Sequence, residues 1–137
     1  MPRKAFADQA GLALSPLDGS SITVQDLEAC ASHFGVDFRH GDILLIRTGG
    51  TELFDKPTKE DMDRMARGDA RTSGLESSVQ MARWLWDKRF AAVADDNFAL
   101  EAVPATNADG TPWTMQSLGM SQPFSVSPQS SPMTPGP

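Results

Sequence analysis

The sequence predicts an α/β domain, an incomplete mixed sheet with a βαβ-like centre and flanking helices, followed by a disordered C-terminal tail. Three observations carry this. Ile43-Leu44-Leu45-Ile46 is a continuous apolar run bounded by turn signals, the pattern of a strand buried on both faces. Phe90-Ala91-Ala92-Val93-Ala94 is a second short buried run. About forty residues with two helical patterns separate the two runs, and a parallel strand pair needs such a crossover.

Taken in order, the first twenty residues are hard to place; Ala5 to Leu14 is rich in Ala and Leu and predicts a short helix, and Ser15-Pro16 and Asp18-Gly19 mark a loop. Thr23 caps the first clear helix, with Asp26 favouring its positive end. Val24, Leu27, Ala31 and Phe34 share one face and Gly35 ends it, so the spacing predicts a helix over 24–34. Arg39 to Asp42 is a turn into the first strand, and Gly49-Gly50 is a turn out of it. Thr58 caps a second helix ending at Gly68. Its apolar stripe, Met62, Met65 and Ala66, is narrow and its other face carries charge pairs four apart, so it is expected to be peripheral. Ser73-Gly74-Leu75-Glu76 has the capping-box pattern for a third helix over 75–88, with Leu75, Val79, Ala82 and Trp86 as its core stripe. Trp84 is expected to face a second contact surface. Domain boundaries follow at 1–22, 23–120 and 121–137. In the last segment, seventeen residues hold five prolines, five serines and no charge, a composition that cannot offset its ordering entropy.

A chain of 137 residues suits one domain with one modest core. Its formal net charge of -6 argues against a nucleic-acid partner, because phosphate binding needs a basic face. Nothing is long and apolar enough to span a membrane. The start, Met1 to Phe6, lacks the apolar stretch of a secretory signal. With Cys30 as the one cysteine, no internal disulfide forms, which fits a reducing compartment, and the expected location is cytoplasmic.

Chemistry concentrates at Asp95-Asp96-Asn97, just after the second strand, where α/β proteins place their sites. Two adjacent carboxylates there share a proton or hold a cation; the plainer reading is strand termination with an Asx-type turn at Asn97. His33 and His40 stand seven apart with a helix end between them, so they do not form a helical metal pair, and no protein metal ligand set is assembled. Cys30 lies near the apolar stripe and reads as a small buried hydrophobe. Gly49-Gly50 lacks the Lys-Ser/Thr of a phosphate-binding loop.

Three segments together resemble the fungal branch of the cyclase family, which includes kynurenine formamidase-like hydrolases. They are Ile22 to Cys30, Phe38 to Gly49 with its Gly41-Asp42 before a strand ending in Arg47-Thr48-Gly49, and Trp84 to Asp87 followed by Phe90 to Ala94. The resemblance covers about residues 10–120. It implies an α/β fold, a homo- or hetero-dimer, and a divalent zinc or manganese ion activating water against the carbonyl of a small-molecule amide or cyclic amide, as in tryptophan catabolism. Neither the family's His-x-Gly-Thr-His-x-Asp motif nor its later His and Glu is present, so the expectation is that this chain as written holds no metal. Trp113 to Met120 resembles the later region, shortened, and the change after Met120 suggests a truncated or frameshifted product. On that basis Asp96 is the candidate catalytic residue, and Asp95, Asn97, Arg47 and Trp113 are candidates for the substrate pocket. The other expectation is a non-catalytic module that docks on a full-length family member.

Overall fold

The computed structural model describes residues 1–9, 11, 15–69, 71–106 and 110–115. The expected disordered tail, 121–137, lies outside the described residues. The elements run α1 (Arg3–Gln9), β1 (Ser21–Ile22), α2 (Val24–Phe34), β2 (Ile43–Ile46), α3 (Gly50–Asp55), α4 (Lys59–Arg67), β3 (Gly74–Leu75), α5 (Val79–Lys88) and β4 (Ala92–Asp95). The fold is α/β, with two parallel strand pairs, β1–β3 and β2–β4, and antiparallel pairing only at isolated bridges among the described residues. The βαβ-like centre is the second pair, in which Ile43 faces Ala92 and Ile46 faces Asp95.

The core joins Ile22, Val24, Leu27, Leu44, Ile46, Leu75, Met81, Ala82 and Leu85. Helix α2 forms where its local signals place it: Thr23 accepts from the Asp26 N–H, Asp26 reciprocates at the Thr23 N–H, and Gly35 closes the helix at φ 62°. The same box recurs at Thr58 and Asp61, and α4 buries no residue. Replacing Thr23 by alanine leaves an N–H of the first turn without its acceptor. The expected loss is about 1 kcal/mol in a urea titration.

Four readings change. Strand β2 is covered on one face only: Leu44 and Ile46 are buried while Ile43 and Leu45 are 63% and 60% exposed, because no described element lies over the other face of the two-stranded sheet. Ser73 caps no helix. Its hydroxyl donates to Ser15 O and Asp18 Oδ1, and Gly74–Leu75 pair in parallel with Ser21–Ile22. The true cap of α5 is Ser78, four residues before Ala82, whose hydroxyl accepts from the Met81 N–H. The buried face is therefore Met81, Ala82 and Leu85, and Trp86, expected in the core, is 74% exposed. Trp84 instead packs edge-on against Phe38 and tilted against Phe90, with its indole N–H donating to Glu28. Finally, Gly49-Gly50 is more than a turn, since Gly49 (φ 98°) is the N-cap of α3.

The chain start is also tied in. The Met1 amino group donates to Leu45 O, and Arg47 N–H donates to Met1 O. Arg3 is buried and pairs with Asp26 at 3.1 Å. The predicted first helix thus begins at Arg3, ahead of Ala5. Cys30 is fully buried, and burial pushes its thiol pKa up, which suits packing and not nucleophilic attack.

Candidate functional site

Because β2 and β4 are parallel, their carboxyl ends lie together, and the segments leaving them meet. From β2 come Thr48, Gly49, Gly50 and Thr51; from β4 come Asp95, Asp96 and Asn97. Asp96 gathers the first group. Its Oδ1 accepts from the Thr48 N–H at 2.6 Å, the Thr48 hydroxyl at 2.9 Å and the Gly49 N–H at 3.2 Å. Its Oδ2 accepts from the Thr51 hydroxyl at 3.0 Å and the Thr51 N–H at 3.4 Å. Burial alone raises the pKa of this carboxyl, but the donors on Thr48 and Thr51 outweigh it and hold the pKa below the ordinary value. Asp96 is thereby the long-range cap of α3, a fixed anion at the end of the sheet.

Asp95 is its opposite. Oδ1 accepts from the Asn97 N–H at 3.2 Å, while Oδ2 is buried and has no hydrogen-bond partner among the described residues. Burial pushes its pKa up to about 6; the Asn97 N–H opposes this, and the neighbouring Asp96 charge adds to it. Both aspartates line an open pocket of about 440 Å³, together with Met1, Pro2, Leu45, Ile46, Arg47, Thr51 and Ala94. Arg47 stands there ion-paired to Glu52 at 2.8 Å. Asn97 turns away and locks the loop, its amide donating to Pro16 O and Ser73 O. Trp113 is not a lining residue of this cavity; it packs half-buried on the core, and its backbone N–H donates to Ala105 O. The structure thus brings Asp95, Asp96 and Arg47 together at one cavity and leaves Asn97 and Trp113 as supports.

A carbon-NMR titration is expected to show the Asp95 carboxyl with a midpoint near 6. Its sign for stability follows. The folded state holds this proton up to a higher pH than the unfolded chain, whose value is 3.8, so stability is present below 3.8 and falls as pH rises through about 6. Asp95→Asn removes that fall. Urea titrations at acidic and neutral pH should show the variant gaining on the wild type only at the neutral end.

Sequence reasoning missed Thr48, Thr51 and Gly50. The signal was present as Thr48-Gly49-Gly50-Thr51, two hydroxyls flanking a diglycine at a strand end. Gly50 is required for contact: a Cβ there would stand 2.1 Å from Asp96 O.

The divalent metal implied by the resemblance does not fit these residues. Among the described residues no three His, Cys, Asp or Glu side chains converge. His33 bonds Gln9 at 2.8 Å on an exposed helix face, and His40 is exposed in its turn. The Asp96 oxygens already face N–H and O–H donors, the wrong polarity for a cation to share.

A family model described as "Putative cyclase" matches residues 5–102. A solved structure titled as the crystal structure of a novel cyclase is 28% identical, with a TM-score of 0.59, and the match covers 86% of this chain and 40% of that one. The chain therefore corresponds to less than half the length of that structure. No curated protein matches it.

Proposed function

The chain belongs to the cyclase family, and from that premise we propose that it serves hydrolysis of a formamide or related amide, contributing one half of the site. Asp95 is the proton-handling group, and the groups that would activate water come from polypeptide outside the described residues. The observation that carries this reading is Asp95 itself, a carboxyl with one buried, unpartnered oxygen at the carboxyl end of a parallel strand, in a cavity of small-ligand size. A carboxyl whose pKa lies near 6 is populated in both forms close to neutral pH, so it can give a proton to a departing amine or take one from water. The cation at Arg47 orients the polar end of a bound amide, and Leu45 and Ile46 receive its apolar part.

The test is binding of formanilide, followed at the Asp95 carboxyl by carbon NMR, with free aniline assayed in parallel. The expected result is a saturable movement of that resonance and no aniline from the chain alone. Aniline released by the chain alone would mean a complete site and overturn the half-site reading. A resonance that does not move would remove the amide altogether.

A second reading is a non-catalytic module that docks on a longer family member. It is favoured by the apolar side chains left exposed on the sheet and α5, Ile43, Leu45 and Trp86. Co-purification with such a chain, with no effect on its turnover, is the result expected of this reading.

A further inference from the structure

The turn that joins β2 to α3 carries a charged pair at the Asp95 pocket. Arg47 lines that pocket, and its Nη2 holds the Glu52 carboxylate at 2.8 Å. Glu52 lies in the first turn of α3. Its other oxygen faces Lys4 Nζ of α1 at 3.9 Å, so one carboxylate stands between cations from two separate segments. The hold is weak, because the Arg47 and Glu52 side chains are 58% and 49% exposed and water competes for both. Arg47 pairs with neither pocket aspartate among the described residues. Nor does its charge set their protonation: burial, local donors and, at Asp95, the Asp96 charge do that. The other donors around the pocket are committed. Thr51 gives its hydroxyl and N–H to Asp96, and the Met1 amino group donates to Leu45 O. Arg47 is thus a lining cation whose ion-pair partner can leave.

We propose that, given the amide reading of the pocket, Arg47 anchors a carboxylate carried by the substrate and Glu52 occupies that anchor until the substrate displaces it. The ligand is then a small amide that also bears a carboxylate. Glu52 has the chemistry of the group it gives way to, so the guanidinium presents the same donors in both states. The exchange replaces one charge-assisted hydrogen bond by another, and the released Glu52 stays beside Lys4. A neutral amide gains less, because its carbonyl competes poorly with an anion for a guanidinium. Glu52 is therefore the specificity-determining residue, an internal competitor that a carboxylate overcomes more easily than a neutral group does. The register keeps the ligand compact. Ile46 lies opposite Asp95, so Arg47 stands one position beyond the proton-handling carboxyl on the neighbouring strand, and neighbouring strands are about 4.8 Å apart. The remaining charges at the pocket are Asp96, held by Thr48, Gly49 and Thr51, and Asp95, which is mostly neutral below about 6. An anionic ligand meets the least repulsion there in mild acid.

The probes are para-formamidobenzoate and its methyl ester, titrated into the full chain at about pH 5 and followed at the Asp95 carboxyl by carbon NMR. The acid is expected to bind about fivefold more tightly than the ester, the scale of a half-exposed ion pair. Glu52→Gln should widen that preference several-fold, because it removes the competitor. Arg47→Gln should abolish it. Both side chains are about half-exposed, so the fold tolerates the changes, and urea unfolding should place both variants close to the wild type. An acid that binds no better than its ester, or a preference that survives Arg47→Gln, overturns the carboxylate anchor. A preference that Glu52→Gln leaves unchanged overturns the exchange with Glu52. The two readings fail separately. If neither probe moves the Asp95 resonance, the amide reading falls and takes this one with it; if the ester binds and the acid gains nothing, only the carboxylate anchor is lost.

Discussion

Asp96→Ala is expected to destabilise the chain by about 3 kcal/mol, measured by urea unfolding at pH 7. Five donor groups from Thr48, Gly49 and Thr51 converge on this one carboxylate. Hydrogen bonds to a charged group contribute about 1.5–3 kcal/mol each, and loss of a helix cap costs about 1. The sum is not realised, because Asp96 is only half-buried and water replaces part of what is lost. Thr48, by contrast, is fully buried, so its N–H and hydroxyl lose their acceptor with no water to take over. Asp96→Asn keeps one carbonyl acceptor and should lose less. The pH dependence separates this group from its neighbour. The Asp96 pKa is lowered in the folded state, so its stabilisation is full above the unfolded value of 3.8 and is lost as pH falls through the folded value. The gap between wild type and Asp96→Ala should therefore close in acid, whereas the contribution of Asp95 changes in the opposite sense between about 4 and about 6. A loss below about 1 kcal/mol at neutral pH would show that Asp96 is not what joins β4 to α3.

Gly50→Ala is expected to be about as damaging, on the order of 3 kcal/mol. The added methyl would stand 2.1 Å from Asp96 O and 3.0 Å from Asn97 Cα, and both are backbone atoms that cannot rotate aside. The start of α3 would have to move off the β4 end, pulling Thr48 and Thr51 from the Asp96 carboxylate, so the two substitutions act through one contact. Their double variant should fall well short of the sum of the single effects. Gly41→Ala is the reference. It sits at φ 83° with open space around it, so it carries backbone strain alone and should cost about 1 kcal/mol. Thermal and urea unfolding of the three variants decide the matter; equal losses at Gly50 and Gly41 would mean that the close approach is relaxed in solution.

Much of the fold was legible because its signals are short-range. The caps at Thr23 and Thr58 and the stops at Gly35 and Gly68 act within one helical turn, and the structure places each where the residues put it. The parallel pairing of β2 with β4 was legible from two apolar runs and the crossover between them. The errors came where a residue met a distant partner. Ser73 has the local grammar of a cap, yet its hydroxyl is claimed by Ser15 and Asp18, more than fifty positions away. Trp86 fits a stripe counted from Leu75, yet the helix starts at Val79 and the stripe turns to Met81, Ala82 and Leu85.

By itself the sequence determined the α/β class, the extents of α2 and α4, and the cyclase resemblance, and it pointed to the strand end at Asp95 and Asp96 as the candidate site. Only the tertiary structure decided how those two carboxylates differ. Asp96 meets donors 45 to 48 residues away and becomes a fixed anion, while Asp95 is desolvated with one oxygen unpaired and becomes the titrating one. Two adjacent identical side chains are indistinguishable in a sequence, because burial and hydrogen bonding are set by what the folded chain brings to each, and no local pattern encodes a partner half a chain away.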